Sequence, residues 1–202
     1  MKMRDKLKFK KLLNEFRSLK FEGEYIEDIL LEAHDDFENY YSKFCEDKGI
    51  SIEDLEDKNK KRVETIKGET VKEYYQKLHG DSEDLVHFKK THRKLMRMLH
   101  PDKLSDDDPL RDEKEEDFKK VVSAIESGIW ADFFDVVDKY GIEIEEVEEA
   151  NKLLMEDIEK MVEKNKGKKT TFSWLLNECQ DDDCRERIIK TFLNYMYGYN
   201  GE

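Results

Sequence analysis

Apolar residues recur at the three- and four-residue spacing of an α-helix along almost the whole of this chain. No run of alternating apolar and polar residues is long enough to indicate a β-strand. The residues that usually interrupt helices are scarce, with 9 Gly and 2 Pro among 202 residues. This pattern predicts an all-α protein of eight or nine helices without an internal repeat.

The apolar stripes place the expected helices along the chain. Two stripes, at residues 9–19 and 26–44, are followed by Ser51, which with Asp54 three residues later is typical of a helix cap. That cap opens a weaker helix that ends near Gly68. The remaining stripes cover residues 71–78, 85–99, 118–125, 130–140, 147–161, 172–176 and 188–196.

Proline, glycine and threonine predict several helix ends. Pro101 must end the helix before it, because proline has no amide hydrogen and disfavours helical geometry in the preceding residue. Gly128 is expected to close the next helix. Residues 164–169 are predicted to form a lysine-rich turn, after which Thr170 or Thr171 caps a further helix.

The composition predicts a folded, very polar, soluble protein. Acidic residues outnumber basic ones by 50 to 37, and the net charge of −13 argues against broad binding to nucleic-acid phosphates. Leu, Ile, Val and Phe still make up about a quarter of the chain, above the roughly 20% below which chains usually stay unfolded. The longest aliphatic run, residues 29–31, cannot span a bilayer, and the basic segment 1–20 lacks the apolar core of a signal peptide.

The cysteines predict reduced thiols and a cytoplasmic protein. Cys45, Cys179 and Cys184 are odd in number and irregularly spaced, and no secretory signal accompanies them. Cys179 and Cys184 could meet on one helix face or cap a loop. A zinc site would need four ligands in tighter pairs, so neither a metal nor a cofactor is expected.

Charge is strongly polarised in the middle of the chain. Residues 85–103 hold six Lys/Arg and one acidic residue, whereas residues 104–118 hold eight acidic and two basic residues. Two interpretations stay open. Either the basic helix lies beside the acidic one and their charges partly neutralise each other, or the basic face meets an acidic partner.

The tripeptide His100-Pro101-Asp102 stands at the end of this basic amphipathic helix and is followed, across a polar loop, by another helix. Together these features resemble the J-domain of DnaJ-type co-chaperones over about sixty residues, 71–128. The segments similar to the family's first, second and third helices are residues 74–80, 88–103 and 118–125.

The resemblance implies two antiparallel helices joined by the tripeptide loop, which dock on a heat-shock-70-family chaperone and accelerate its ATP hydrolysis. In that role Pro101 fixes a backbone dihedral, Asp102 offers a carboxylate to a partner arginine, and His100 serves in hydrogen bonding and packing. All catalytic groups would belong to the chaperone, so the chain itself is not expected to be an enzyme. The residues expected to meet an acidic groove on the chaperone are Lys89, Lys90, Arg93, Lys94 and Arg97.

Departures from the family's pattern indicate a specialised member. His92 stands where the family usually has a tyrosine, the loop after Asp102 is more acidic than usual, and a common basic motif after Gly128 is missing. Without a glycine/phenylalanine-rich linker or a cysteine-rich zinc region, the chain resembles the class that shares only the J-domain. We expect an N-terminal helical region (1–68), a J-domain-like region (69–140) and a C-terminal helical region (141–202), with the flanks binding a client protein.

Long helical flanks are also similar to those of J-domain proteins predicted in large phages and other viruses, in which case the location is the host cytoplasm. The alternative function is a structural or assembly protein, such as a virion component, that keeps a J-like fold without chaperone activity. For the basic segment 2–20, the sequence leaves open a plain surface helix or contact with an acidic partner, nucleic acid or membrane surface.

Overall fold

The computed structural model describes residues 3–57, 83–105 and 107–199. All elements in these ranges are helical, none is a strand, and the prediction of an all-α protein is confirmed. The helices are α1 (Met3–Asp47), α2 (Glu83–His87), α3 (Lys89–Leu99), α4 (Arg111–Ser127), α5 (Trp130–Lys139), α6 (Val147–Lys168), α7 (Phe172–Asn177) and α8 (Asp182–Tyr197). A 3₁₀ turn, Pro101–Lys103, follows α3, and residues 52–57 are also helical. Within the described ranges, no helix is both long and apolar enough to cross a bilayer.

The two apolar stripes at residues 9–19 and 26–44 belong to one helix of 45 residues, α1. Its only glycine, Gly23, packs so closely on α6 that an added Cβ would lie 2.8 Å from Oδ1 of Asn165. Helix α6 in turn continues to Lys168, so most of the segment 164–169, where the sequence predicted a turn, is helical. The helical form of this segment brings Lys168 Nζ within 2.7 Å of a Glu27 carboxylate oxygen, so a contact with α1 outweighs the local turn signal.

The chain packs into two compact units that are not continuous in sequence. Unit 1 combines Met1–Lys20 with His79–Val162, and unit 2 combines Phe21–Leu78 with Glu163–Glu202. The three regions expected along the sequence stay a prediction. The expected helix at residues 71–78 and the end near Gly68 lie outside the described residues.

Aromatic side chains form the centre of unit 1. Phe88, just before α3, is fully buried, and its ring centroid lies 5.1 Å from that of Phe134 and 5.4 Å from that of Trp130. Phe9 of α1 meets Phe134 edge to face at 5.7 Å. Helices α1, α3 and α5 are therefore held together through one desolvated aromatic cluster.

Basic side chains at the start of α1 form ion pairs within unit 1. Arg17 Nε lies 2.7 Å from Asp135, Lys20 Nζ lies 2.7 Å from Asp132, and Lys10 pairs with Asp138. All three carboxylates belong to α5. Of the interpretations that the sequence left open for residues 2–20, intramolecular pairing on a surface helix accounts for these three basic side chains.

Unit 2 contains the second part of α1, the end of α6, and helices α7 and α8. Phe37 meets Phe192 edge to face at 5.0 Å, and Tyr41 meets the same ring at 5.4 Å. Helix α7 begins where Thr171 Oγ1 accepts a hydrogen bond from the Trp174 amide, so one of the two predicted threonine caps is used.

The cysteines differ from the sequence-based expectation. Cys179 and Cys184 form a disulfide with their Cα atoms 5.5 Å apart, so the prediction of reduced thiols is wrong for this pair in the structure. The short turn from the end of α7 to the first turn of α8 brings the two residues together. Cys45 is a free, buried thiol.

Two glycine-to-alanine substitutions should change stability in opposite directions. Gly128 ends α4 with φ +69°, a conformation that costs a residue with a Cβ, so Gly128→Ala should lower the free energy of unfolding by about 1 kcal/mol. Gly167 lies inside α6 with open space around an added Cβ, so Gly167→Ala should raise it by about 0.5–1 kcal/mol. Urea denaturation of both variants tests the pair, and equal signs would contradict the placement of Gly128 at a helix end and of Gly167 inside a helix.

Candidate functional site

Phe88 interrupts the helix that the sequence predicted across residues 85–99. Its backbone (φ −100°, ψ 16°) leaves helical geometry between α2 and α3 while its ring enters the aromatic core of unit 1. The stabilisation gained by burying this ring is thus larger than the stabilisation lost where the helix is interrupted. It also sets where α3 begins and which face of α3 turns inward.

Helix α3 is strongly amphipathic. Thr91, Leu95 and Leu99 are buried at four-residue spacing on its inner face. The five basic residues predicted as a docking face are all exposed: Lys89, Lys90, Arg93, Lys94 and Arg97. The inner face fixes the helix in unit 1, so the outer face presents its charges to solvent from a rigid base.

The end of α3 follows from Pro101. His100, the residue before the proline, has ψ 126°, as expected where proline disfavours the helical region. The His100 amide still donates to the Met96 carbonyl at 3.0 Å, and Pro101 then opens the 3₁₀ turn. The sequence-predicted end of this helix is confirmed.

The tripeptide forms a tight local arrangement. The Asp102 amide donates to Nδ1 of His100 at 3.3 Å, and the same nitrogen lies 3.6 Å from the Asp102 carboxylate. The His100 ring meets the Phe118 ring of α4 edge to face, with centroids 5.5 Å apart. His100 therefore orients the turn, while the Asp102 side chain, 86% exposed, points its carboxylate into solvent.

Helix α4 is held to α5 beside this contact. The buried Asp117 carboxylate accepts hydrogen bonds from Lys139 Nζ at 2.6 Å and from the Tyr140 hydroxyl at 2.8 Å. Burial and the bond to Asp117 raise the pKa of Tyr140 to about 12, so this hydroxyl stays a donor at physiological pH. Phe118, the next residue, is thereby a fixed support for His100.

Most of the basic face of α3 is not neutralised within the described parts of the chain. Lys90 Nζ lies 2.9 Å from Glu145, whose hydrogen bond and charge raise the pKa of Lys90. The other four basic residues of that face have no ion pair within 4 Å among the described residues. The described carboxylates of residues 107–117 that do form ion pairs bind Arg111, Lys114 or Lys139 instead.

All eight sequence-predicted site residues therefore lie on one element and the turn that ends it. Glu145 as the partner of Lys90 was missed, although the acidic run after residue 142 was a signal for it. His92, which departs from the family's pattern, is half-buried beside the basic face, and burial lowers its pKa. Its side chain is therefore mainly neutral and adds little charge to that face.

Comparisons with protein-family models, with curated proteins and with solved structures found no match to this chain. Its function has to be inferred from its own residues and their geometry.

Proposed function

We propose that this chain is a J-domain co-chaperone that docks on a heat-shock-70-family chaperone and stimulates its ATP hydrolysis. The observation that carries the proposal is the exposed Asp102 carboxylate, set in a proline-initiated turn at the end of a helix with a largely unpaired basic face. An exposed carboxylate on a rigid turn suits a charge-assisted bond to a partner arginine. The basic face of α3 would meet an acidic groove on the chaperone.

The proposed mechanism needs no catalytic group from this chain. Its contacts would favour the hydrolysis-ready conformation of the chaperone, which is a shift between existing states. The charges of α3 would set orientation and encounter rate more than affinity. The packing of α3 on α4 and of His100 on Phe118 supports the antiparallel hairpin that the family resemblance implies.

The test is steady-state ATP hydrolysis by a heat-shock-70-family chaperone over a wide range of concentrations of this chain. We expect the rate to rise and to saturate. A rate that stays basal at every concentration, also with the chaperone from the native host, would overturn the proposal.

A second candidate is an assembly protein that keeps this fold without chaperone activity. The 45-residue helix α1 favours it, because long helices with exposed apolar residues are suited to protein contacts. A strictly monomeric species in light scattering, together with no partner in a pull-down, would remove this candidate.

Glu145→Gln is expected to strengthen docking modestly. Removal of the Glu145 charge releases Lys90. Because exposed ion pairs are weak, the concentration for half-maximal ATPase stimulation should fall by no more than about fivefold. The difference should shrink as salt is raised. Glu148→Gln, which removes an exposed charge in the first turn of α6, is the matched control, and an equal response of both variants would contradict a role for the Lys90 contact.

A further inference from the structure

The part of α1 that belongs to unit 2 is strongly acidic. Residues 21–47 hold ten acidic residues and one lysine. On the outward face of this part, three large apolar side chains are about 70% exposed, namely Phe21, Tyr25 and Leu31. The carboxylates interspersed with them on the same face are Glu24, Asp28, Glu32, Asp35 and Glu38.

An open groove of about 770 Å³ lies on unit 2 where this helix passes Thr171 and Ser173. Leu30 and Leu31 supply its apolar surface. Acidic side chains line it, namely Glu27, Glu32 and Asp35.

The lining carboxylates differ in what they already bind. Glu27 is occupied by Lys168 at 2.7 Å. Glu32 and Asp35 have no ion pair among the described residues. The groove therefore combines an uncovered apolar surface with two carboxylates that can accept a basic side chain.

We propose that this groove binds a basic, apolar protein segment. A bulky apolar side chain of the segment covers Leu30 and Leu31, and a lysine or arginine of it meets Glu32 or Asp35. Burial of apolar area supplies the affinity, whereas the charges select a basic segment over an acidic one. As a description of the client this rests on the proposed co-chaperone function, but the binding itself does not require the chaperone.

The probe is a fluorescent 14-residue peptide of leucine and lysine with leucines at helical spacing, and its binding is measured by fluorescence anisotropy. Its control has the same lysines with every leucine replaced by serine. We expect the Leu/Lys peptide to bind at least tenfold more tightly than the Ser/Lys peptide. Equal binding of the two would overturn the proposal, because it would reflect only the negative charge of the protein.

Matched variants locate the site. Leu31→Ser and Glu32→Lys should each weaken binding of the Leu/Lys peptide at least fivefold. Leu7→Ser, at an exposed leucine in unit 1, and Glu148→Lys, with the same charge change as Glu32→Lys, should leave it unchanged. Equal weakening by both lysine substitutions would overturn the proposal. So would concentration-dependent self-association that Leu31→Ser abolishes, because the occupant would then be a second copy of this chain.

The proposed groove and the proposed co-chaperone function can be tested independently of each other. Asp102→Asn should bind the Leu/Lys peptide as the wild type does, since Asp102 belongs to unit 1 and is not among the residues that line the groove. Loss of peptide binding in Leu31→Ser with unchanged ATPase stimulation would support a client groove distinct from the docking turn.

Discussion

Asp102→Asn is expected to raise the concentration needed for half-maximal stimulation of the chaperone's ATP hydrolysis by roughly tenfold or more while the chain stays folded. The substitution removes the charge of a side chain that is 86% exposed and keeps its shape and the amide hydrogen bond to His100. Loss of a hydrogen bond to a charged group costs about 1.5–3 kcal/mol, which weakens docking roughly ten- to hundredfold. The measurements are ATPase rate against concentration, and unfolding by urea followed by circular dichroism.

Asp107→Asn is the matched control, because Asp107 is an exposed acidic residue in the same loop. It should keep the stimulation of the wild type. If both variants stimulate the chaperone fully, the Asp102 carboxylate is not the docking group. If Asp107→Asn loses as much ATPase stimulation as Asp102→Asn, the loss is caused by the lower negative charge of the loop and not by the position of Asp102 in the turn.

Phe88→Ala is expected to give the largest loss of stability, about 3–5 kcal/mol in the free energy of unfolding. Phe88 is fully buried, and its ring contacts Trp130, Phe133 and Phe134. Truncation leaves a cavity in the aromatic cluster where α3 is attached to unit 1. Because the basic face depends on that attachment, ATPase stimulation should decline at temperatures where the wild type is still active.

Val86→Ala is the control for Phe88→Ala, since Val86 lies two residues earlier and is 65% exposed. Its free energy of unfolding should change by less than about 0.5 kcal/mol, as at most surface positions. Phe88→Leu should lie between the two variants. A similar, small loss for Phe88→Ala and Val86→Ala would mean that Phe88 is not the anchor of α3.

Much of the candidate site could be predicted from sequence because it is local. The spacing of Leu95 and Leu99 sets the inner face of α3, and the outer basic face follows from the same period. Pro101 ends the helix through its own covalent geometry. The exposure of Asp102 then follows from its position in the turn.

Other features of the site depend on residues distant in the chain. Phe88 breaks a regular helical pattern because its ring packs on α5, which no pattern within residues 85–99 could indicate. The partner of Lys90 is Glu145, 55 residues away, whereas the sequence suggested the acidic segment that directly follows the tripeptide. Outside the site, the disulfide between Cys179 and Cys184 was also missed, although the two residues are only five positions apart, because its formation depends on how α7 and α8 meet.

The sequence by itself determined the all-α class and the amphipathic basic helix with its tripeptide end. Each of these depends on interactions within a few residues, so the spacing of apolar residues and the position of Pro101 are enough to predict it. Only the tertiary structure decided that α1 is one helix and that three of its basic residues, Lys10, Arg17 and Lys20, form ion pairs with carboxylates of α5. Those ion pairs join residues 112 to 128 positions apart, and pairing over such distances depends on how whole helices pack rather than on any local pattern.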